Sequence, residues 1–183
     1  MTVATKVPRE HATGQLTIPK ASVHAQSRLV SCEDGLAIAE IGSICLIEWS
    51  APVIGRRFER QRLALESIAS RFPGEAGVVC VMAASSPVPE DRYRRSLIDV
   101  YSRLAPHIRA VVCVLEGTGF IAAAARSGLS GMIQLLAGRP GDILIRATVD
   151  SSLPWLTQKY NEQTAELVRR THNELAIAVS ATK

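Results

Sequence analysis

This chain of 183 residues has few aromatic side chains and lacks the segments that would direct it into or across a membrane. Phe, Trp and Tyr make up 4% of the residues, whereas apolar residues as a whole make up 47%. The core must therefore consist mainly of Val, Ile, Leu and Ala. No run reaches the roughly 18 consecutive apolar residues of a membrane-spanning helix, and the N-terminus lacks the regions of a signal peptide. We expect a cytoplasmic protein without stable membrane insertion.

Cysteine and histidine are present, but not at the spacings of a metal or redox motif. The four cysteines lie in or beside apolar runs, and no two have the spacing of a zinc knuckle or a redox pair. The four histidines are equally scattered, and none is placed to activate a serine. The sequence therefore predicts reduced, buried thiols, no metal, no cofactor and no catalytic residues. A protein that is not an enzyme is the expected result.

The charge pattern gives no sign of a nucleic-acid surface. The net charge is +4, but the basic residues are mostly Arg and alternate with Asp and Glu. The longest basic stretch, residues 56–62, has helical spacing, contains Glu59 and is typical of a solvated helix face. A mild excess of positive charge without interleaved aromatic side chains does not indicate nucleic-acid binding.

Three short apolar runs follow a leader that has no apolar periodicity. Residues 1–26 are rich in Thr, Ala, Pro and Lys, and we expect them to form a disordered arm. Turn residues, including Gly35 and Gly42, separate the three runs. Such short separations are typical of hairpins, so the runs are predicted to pair antiparallel. The predicted strands are 28–32, 36–41 and 43–49.

Helical and strand patterns alternate from residue 53 onward. Strands that alternate with helices in units of about 30 residues are joined by right-handed crossovers and form a mostly parallel sheet. We predict one α/β domain over residues 27–160, with a mixed sheet whose N-terminal edge strands are antiparallel and with helices packed on it. A helical pattern begins at Leu153 and continues to about Ala178. Residues 161–183 are predicted as a C-terminal helix that packs on, or extends from, this domain.

A Gly-Thr-Gly elbow after the strand 109–115 leads into a helix with almost no charge. Between Thr118 and Gly138 the only ionisable side chain is Arg126. A helix that is apolar most of the way round needs cover on more than one side. We therefore predict a surface for a protein partner or for a second copy of the chain, as in a homodimer. The predicted partner-binding residues are Thr118, Phe120, Ile121, Ala125, Leu129, Met132 and Ile133.

The element order, together with four short segments, resembles the STAS or SpoIIAA-like domains, and most closely an uncharacterised bacterial branch of them. The segments are Leu115 to Phe120 at the elbow, Arg126 to Leu129 in the following helix, the short strand Ile143 to Thr148, and Trp155-Leu156 near the end of the body. The resemblance implies a non-enzymatic regulatory or scaffold module that acts through protein–protein contacts over residues 117–136. It also implies a phospho-switch at Thr118, although Glu116-Gly117-Thr118-Gly119 departs from the acidic-Ser-Ser or acidic-Ser-Thr core of that family.

The same elbow leaves two other interpretations open. A small molecule, lipid or nucleotide could bind at the carboxyl ends of the strands, with Ser85, Gly117, Thr118 and Gly119 as the ligand-binding residues. The spacing Gly117-x-Gly119-x-x-Ala122 matches a dinucleotide fingerprint locally, but its acidic companion about 20 residues further on is missing. The remaining interpretation is purely structural: Thr118 caps the helix, and the two glycines permit a tight turn.

Overall fold

Six strands form one mixed sheet, and their order in the sheet follows the chain. The computed structural model describes residues 27–33, 35–84, 86, 89–119 and 143–181. The first three strands pair antiparallel, and every later strand pairs parallel with the one before it. The predicted α/β class and mixed sheet are therefore confirmed. The strands are β1 (Ser27–Glu33), β2 (Leu36–Ile41), β3 (Ile44–Trp49), β4 (Ala76–Met82), β5 (Ile108–Leu115) and β6 (Ile143–Arg146).

The helices of the described residues cover both faces of this sheet. Phe58, Leu65 and Ile68 of the first helix pack with Leu36, Ile38 and other side chains of one face. Val168 and Leu175 of the last helix pack with Ala39, Leu46 and others of the opposite face. None of these helices combines the length and apolarity needed to cross a bilayer. The helices are α1 (Gly55–Arg71), α2 (Asp91–Leu104), α3 (Leu153–Lys159) and α4 (Glu162–Ala181).

The helical pattern from Leu153 onward is broken by one turn at Tyr160. The α3 helix ends at Lys159, and Tyr160 leaves the helical conformation with φ of −122° and ψ of −90°. Asn161 then starts α4, because its side-chain oxygen accepts a hydrogen bond of 2.8 Å from the Thr164 backbone N–H. An Asn at this place is a favourable helix cap, so α4 begins as a separate helix.

The cysteines agree with the prediction in part, since Cys45 is fully buried and Cys80 and Cys113 are half-buried. All four are free, but Cys32 on the edge strand β1 is exposed, whereas Cys45 is buried. The prediction of buried thiols was wrong for Cys32, because β1 lies at the edge of the sheet and is mostly exposed. Burial raises the pKa of Cys45 and of Cys113 to about 12, and it raises the pKa of Cys80 well above its usual range.

We expect a single thiol of the native chain to react quickly with an aromatic disulfide reagent at pH 8. Only the thiolate attacks such a reagent, and the raised pKa of the three sheltered thiols keeps them protonated. The release of coloured thiol measures this rate. Cys32→Ser should remove the fast phase, and unfolding in urea should make the sheltered thiols reactive. A fast phase of more than one thiol would contradict this assignment.

Candidate functional site

The carboxyl ends of β3, β4 and β5 lie side by side and form one edge of the sheet. Trp49, Met82 and Leu115 are register partners at the ends of these strands. The ladder continues for one more residue, because the Ala83 N–H donates to the Trp49 carbonyl at 2.8 Å and the Glu116 N–H donates to the Met82 carbonyl at 2.9 Å. Open α/β sheets bind their ligands at the carboxyl ends of the strands, most often where the strand order reverses; in this sheet the order runs from β1 to β6 without reversal.

Glu48 lies one residue before the end of β3, on the face that α4 covers. Side chains alternate along a strand, and Leu46 packs with the α4 cluster whereas Ile47 and Trp49 pack with the α1 cluster. Glu48 is only 6% exposed. A carboxylate in this position has lost most of its hydration, so it needs a partner inside the protein.

The partner of Glu48 is His172 of α4. His172 Nδ1 lies 2.5 Å from Glu48 Oε1, which is a short hydrogen-bond distance. The other ring nitrogen, Nε2, lies 3.8 Å from Glu116 Oε1. Val168 and Leu175, which are buried four residues before and three residues after His172, hold this face of α4 on the sheet. His172 therefore bridges the ends of β3 and β5, and we call Glu48, His172 and Glu116 the edge triad.

The pKa values of Glu48 and His172 depend on each other. Burial raises the pKa of the Glu48 carboxyl, and the Glu116 charge adds to this effect, while His172 acts in the opposite direction. The hydrogen bond to Glu48 raises the pKa of His172, and the charges of Glu48, Glu116 and Asp150 add to it against the opposing effect of burial. The imidazole therefore keeps its second proton to a higher pH than an isolated histidine does.

Two buried hydroxyl groups beside the edge triad in the sequence have no hydrogen-bond partner among the described residues. These are Ser50 Oγ, two residues after Glu48, and Thr171 Oγ1, directly before His172. Thr171 is 3% exposed. Buried hydroxyl groups normally have a partner in the protein or in ordered water, so these two are exceptions among the described side chains.

The elbow continues directly from Glu116. Gly117 has φ of 115° and Gly119 has φ of 86°, a region that residues with a side chain rarely enter. Thr118 between them is exposed. Of the predicted site residues, the structure thus places Gly117, Thr118 and Gly119 at the edge that carries the triad. The others, Ser85, Phe120, Ile121, Ala125, Leu129, Met132 and Ile133, lie outside the described residues.

The sequence prediction missed all three members of the edge triad. One signal was present, because Glu48 interrupts an otherwise apolar strand and a buried carboxylate needs a partner. Glu40 interrupts β2 in the same way and is also buried, but the structure pairs it with two arginines, Arg28 at 2.8 Å and Arg71 of α1 at 2.5 Å. The partner of Glu48 lies 124 residues away in the sequence, and no local pattern could have identified it.

Neither a cluster of metal ligands nor a known relative assigns a function to this site. Within the ranges that the structure describes, no three His, Cys, Asp or Glu side chains are grouped as a metal site would require. No protein-family model, no curated protein and no solved structure matches the chain. A function must therefore be argued from the geometry and chemistry of the edge itself.

Proposed function

We propose that the chain is a non-enzymatic module that binds a small polar molecule at the carboxyl ends of β3, β4 and β5. The observation that supports this function best is the edge triad, in which His172 bridges Glu48 and Glu116. Taking charged groups out of water costs several kcal/mol per ion. Titratable groups with perturbed pKa values that converge where α/β sheets bind ligands are typical of a functional site.

The charge of the edge favours a ligand with hydrogen-bond donors. The Glu116 side chain is 36% exposed, and Asp150, whose charge also acts on His172, is exposed. Both offer carboxylate oxygens to solvent, and carboxylates accept hydrogen bonds. Amines and polyols can donate to these oxygens, whereas the phosphate groups of a nucleotide would be repelled by them. We therefore propose an amine or a polyol rather than the nucleotide considered from the sequence.

The proposed module keeps the SpoIIAA-like architecture as its fold. The antiparallel start and the parallel remainder of the sheet support this proposal. The regulatory function through a protein partner or a second copy stays a prediction, since only residues 117–119 of its surface lie in the described ranges. A ligand at Glu116 and a partner at the next segment would occupy adjacent parts of the chain, so the two functions are compatible.

The variant Glu116→Gln, which removes the charge of Glu116, is expected to weaken ligand binding about tenfold. One hydrogen bond to a charged group contributes about 1.5 kcal/mol, which corresponds to this factor. The first measurement is native mass spectrometry of the freshly purified full chain. The second is the shift of the melting temperature with ethanolamine, putrescine, glycerol and inositol as probes, which also ranks amines against polyols.

The matched control is Glu174→Gln, which also removes one carboxylate. Glu174 is exposed on α4, two residues from His172, and its nearest charged partner is Arg170 at 3.9 Å. We expect this variant to bind the same ligand as the wild type. The proposed function would be refuted if native mass spectrometry detects no molecule bound to the full chain and if none of the probes shifts its melting temperature.

A further inference from the structure

We infer that His172 is a proton-dependent latch that holds the elbow after β5 against α4 and thereby controls access to the ligand site. The second half of this inference rests on the proposed function, whereas the latch itself does not. Its basis is the position of one imidazole between the carboxylate of Glu48 on β3 and that of Glu116, which follows β5. Glu116 is a member of the edge triad and directly precedes the elbow, so its contact with His172 links the elbow to α4.

The two ring nitrogens give the latch its dependence on the proton. A protonated imidazole carries an N–H on both nitrogens, so it donates to Glu48 from Nδ1 and presents a positive Nε2–H to Glu116. A neutral imidazole has one N–H only. The short contact to Glu48 keeps this hydrogen on Nδ1, and the Nε2 lone pair then faces the Glu116 carboxylate. Loss of one proton therefore changes the contact with Glu116 from attraction to repulsion.

The charges that surround His172 support this behaviour. Glu48 of β3, Glu116 after β5 and Asp150 of the turn before α3 all act on His172. Their combined negative charge favours the protonated ring, which raises its pKa. On β6, Arg146 donates to the Ser151 carbonyl at 3.3 Å, and on α4 itself, Arg169 binds Glu166 at 2.7 Å.

The charged residues of the two remaining strands under α4 are paired elsewhere. On β1, Glu33 pairs with Arg60 of α1 at 3.2 Å. On β2, Glu40 pairs with Arg28 and with Arg71 of α1. These strands therefore direct their charges toward α1 and toward each other.

The raised pKa fixes the direction of the pH dependence. A group whose pKa is higher in the folded chain stabilises the fold fully below its unfolded value of about 6.5. This contribution is lost as the pH rises through the folded pKa of His172. The latch is therefore closed below the unfolded value, and it opens on the alkaline side of the folded pKa of His172.

An NMR titration of the histidine side chains in the full chain tests the latch without any ligand. We expect His172 to titrate above 6.5 and Glu116→Gln to lower its pKa by roughly half a unit to one unit, since one nearby charge is removed. Amide exchange of Gly117 to Gly119, corrected for the intrinsic rate, should increase above the His172 pKa in the wild type. It should change less with pH in Glu116→Gln. Glu174→Gln should behave like the wild type in both measurements.

The possible results separate the latch from the proposed function. A His172 that titrates at or below 6.5, or that does not respond to Glu116→Gln, would overturn the latch. An elbow whose exchange does not follow this titration would also overturn it. If the latch titrates as expected and the best-binding of the four probes binds with equal affinity below and above the His172 pKa measured in the titration, its control of access is refuted. A confirmed latch in a chain that binds no probe would refute only the proposed function and the control of access.

Discussion

Replacement of His172 by alanine is expected to lower the free energy of unfolding by about 3 kcal/mol, because it leaves the buried Glu48 carboxylate without its partner. The Glu48 side chain is 8% exposed, so water can replace little of the lost hydrogen bond. Protonation of Glu48, whose pKa burial already raises, limits the loss. Urea denaturation at pH 6, where the wild-type imidazole holds its second proton, measures the difference.

Two further variants separate the unpaired charge from the loss of side-chain volume. His107→Ala removes an exposed imidazole and should change the free energy of unfolding by less than about 0.5 kcal/mol. The double variant Glu48→Leu/His172→Leu should regain most of the stability lost in His172→Ala, since apolar residues often replace a buried ion pair without loss. If His172→Ala lowers the free energy of unfolding no more than His107→Ala does, Glu48 and His172 do not form a buried, coupled pair.

The strands were predictable because they are defined by local patterns. The run Leu36–Ile41 is apolar at five of its six positions, with Glu40 as the exception, and the structure buries every one of them. Gly42, with φ of 58°, makes the turn to β3 that its position between two apolar runs indicated. Strand class and pairing direction follow from such short segments, so sequence reasoning could place them.

The candidate site was less predictable because its members meet only through the tertiary fold. The sequence presented His172 only as one of four scattered histidines, and although Val168 and Leu175 place it beside an apolar stripe, nothing local identifies the two carboxylates that it meets. Its position on the sheet depends on the break at Tyr160 and on the new start at Asn161, which set where α4 lies. The elbow itself was found, since Gly117 and Gly119 carry a local turn signal, but Glu116 was noted only as a departure from a family pattern.

Gly35→Ala is expected to cost about 3 kcal/mol and to disturb the candidate site, although residue 35 lies in the turn between β1 and β2. A side chain at a φ of 76° costs about 1 to 2 kcal/mol. The new methyl group would also overlap the Ala51 side chain, and such overpacking costs typically 1 to 3 kcal/mol. Denaturation in urea gives the total.

Gly74→Ala separates the two causes, because Gly74 has a similar φ of 80° but no atom within 4 Å of the added methyl group. We expect it to cost about 1 kcal/mol, the backbone term alone. Only Gly35→Ala should also shift the His172 NMR signals. Gly35 accepts the Ser50 N–H at 3.1 Å and the Ala51 carbonyl accepts the Ser86 hydroxyl at 3.1 Å, so a displaced Ala51 moves the ends of β3 and β4 together. Equal costs, or an unchanged His172 signal in Gly35→Ala, would show that this turn does not position the carboxyl edge.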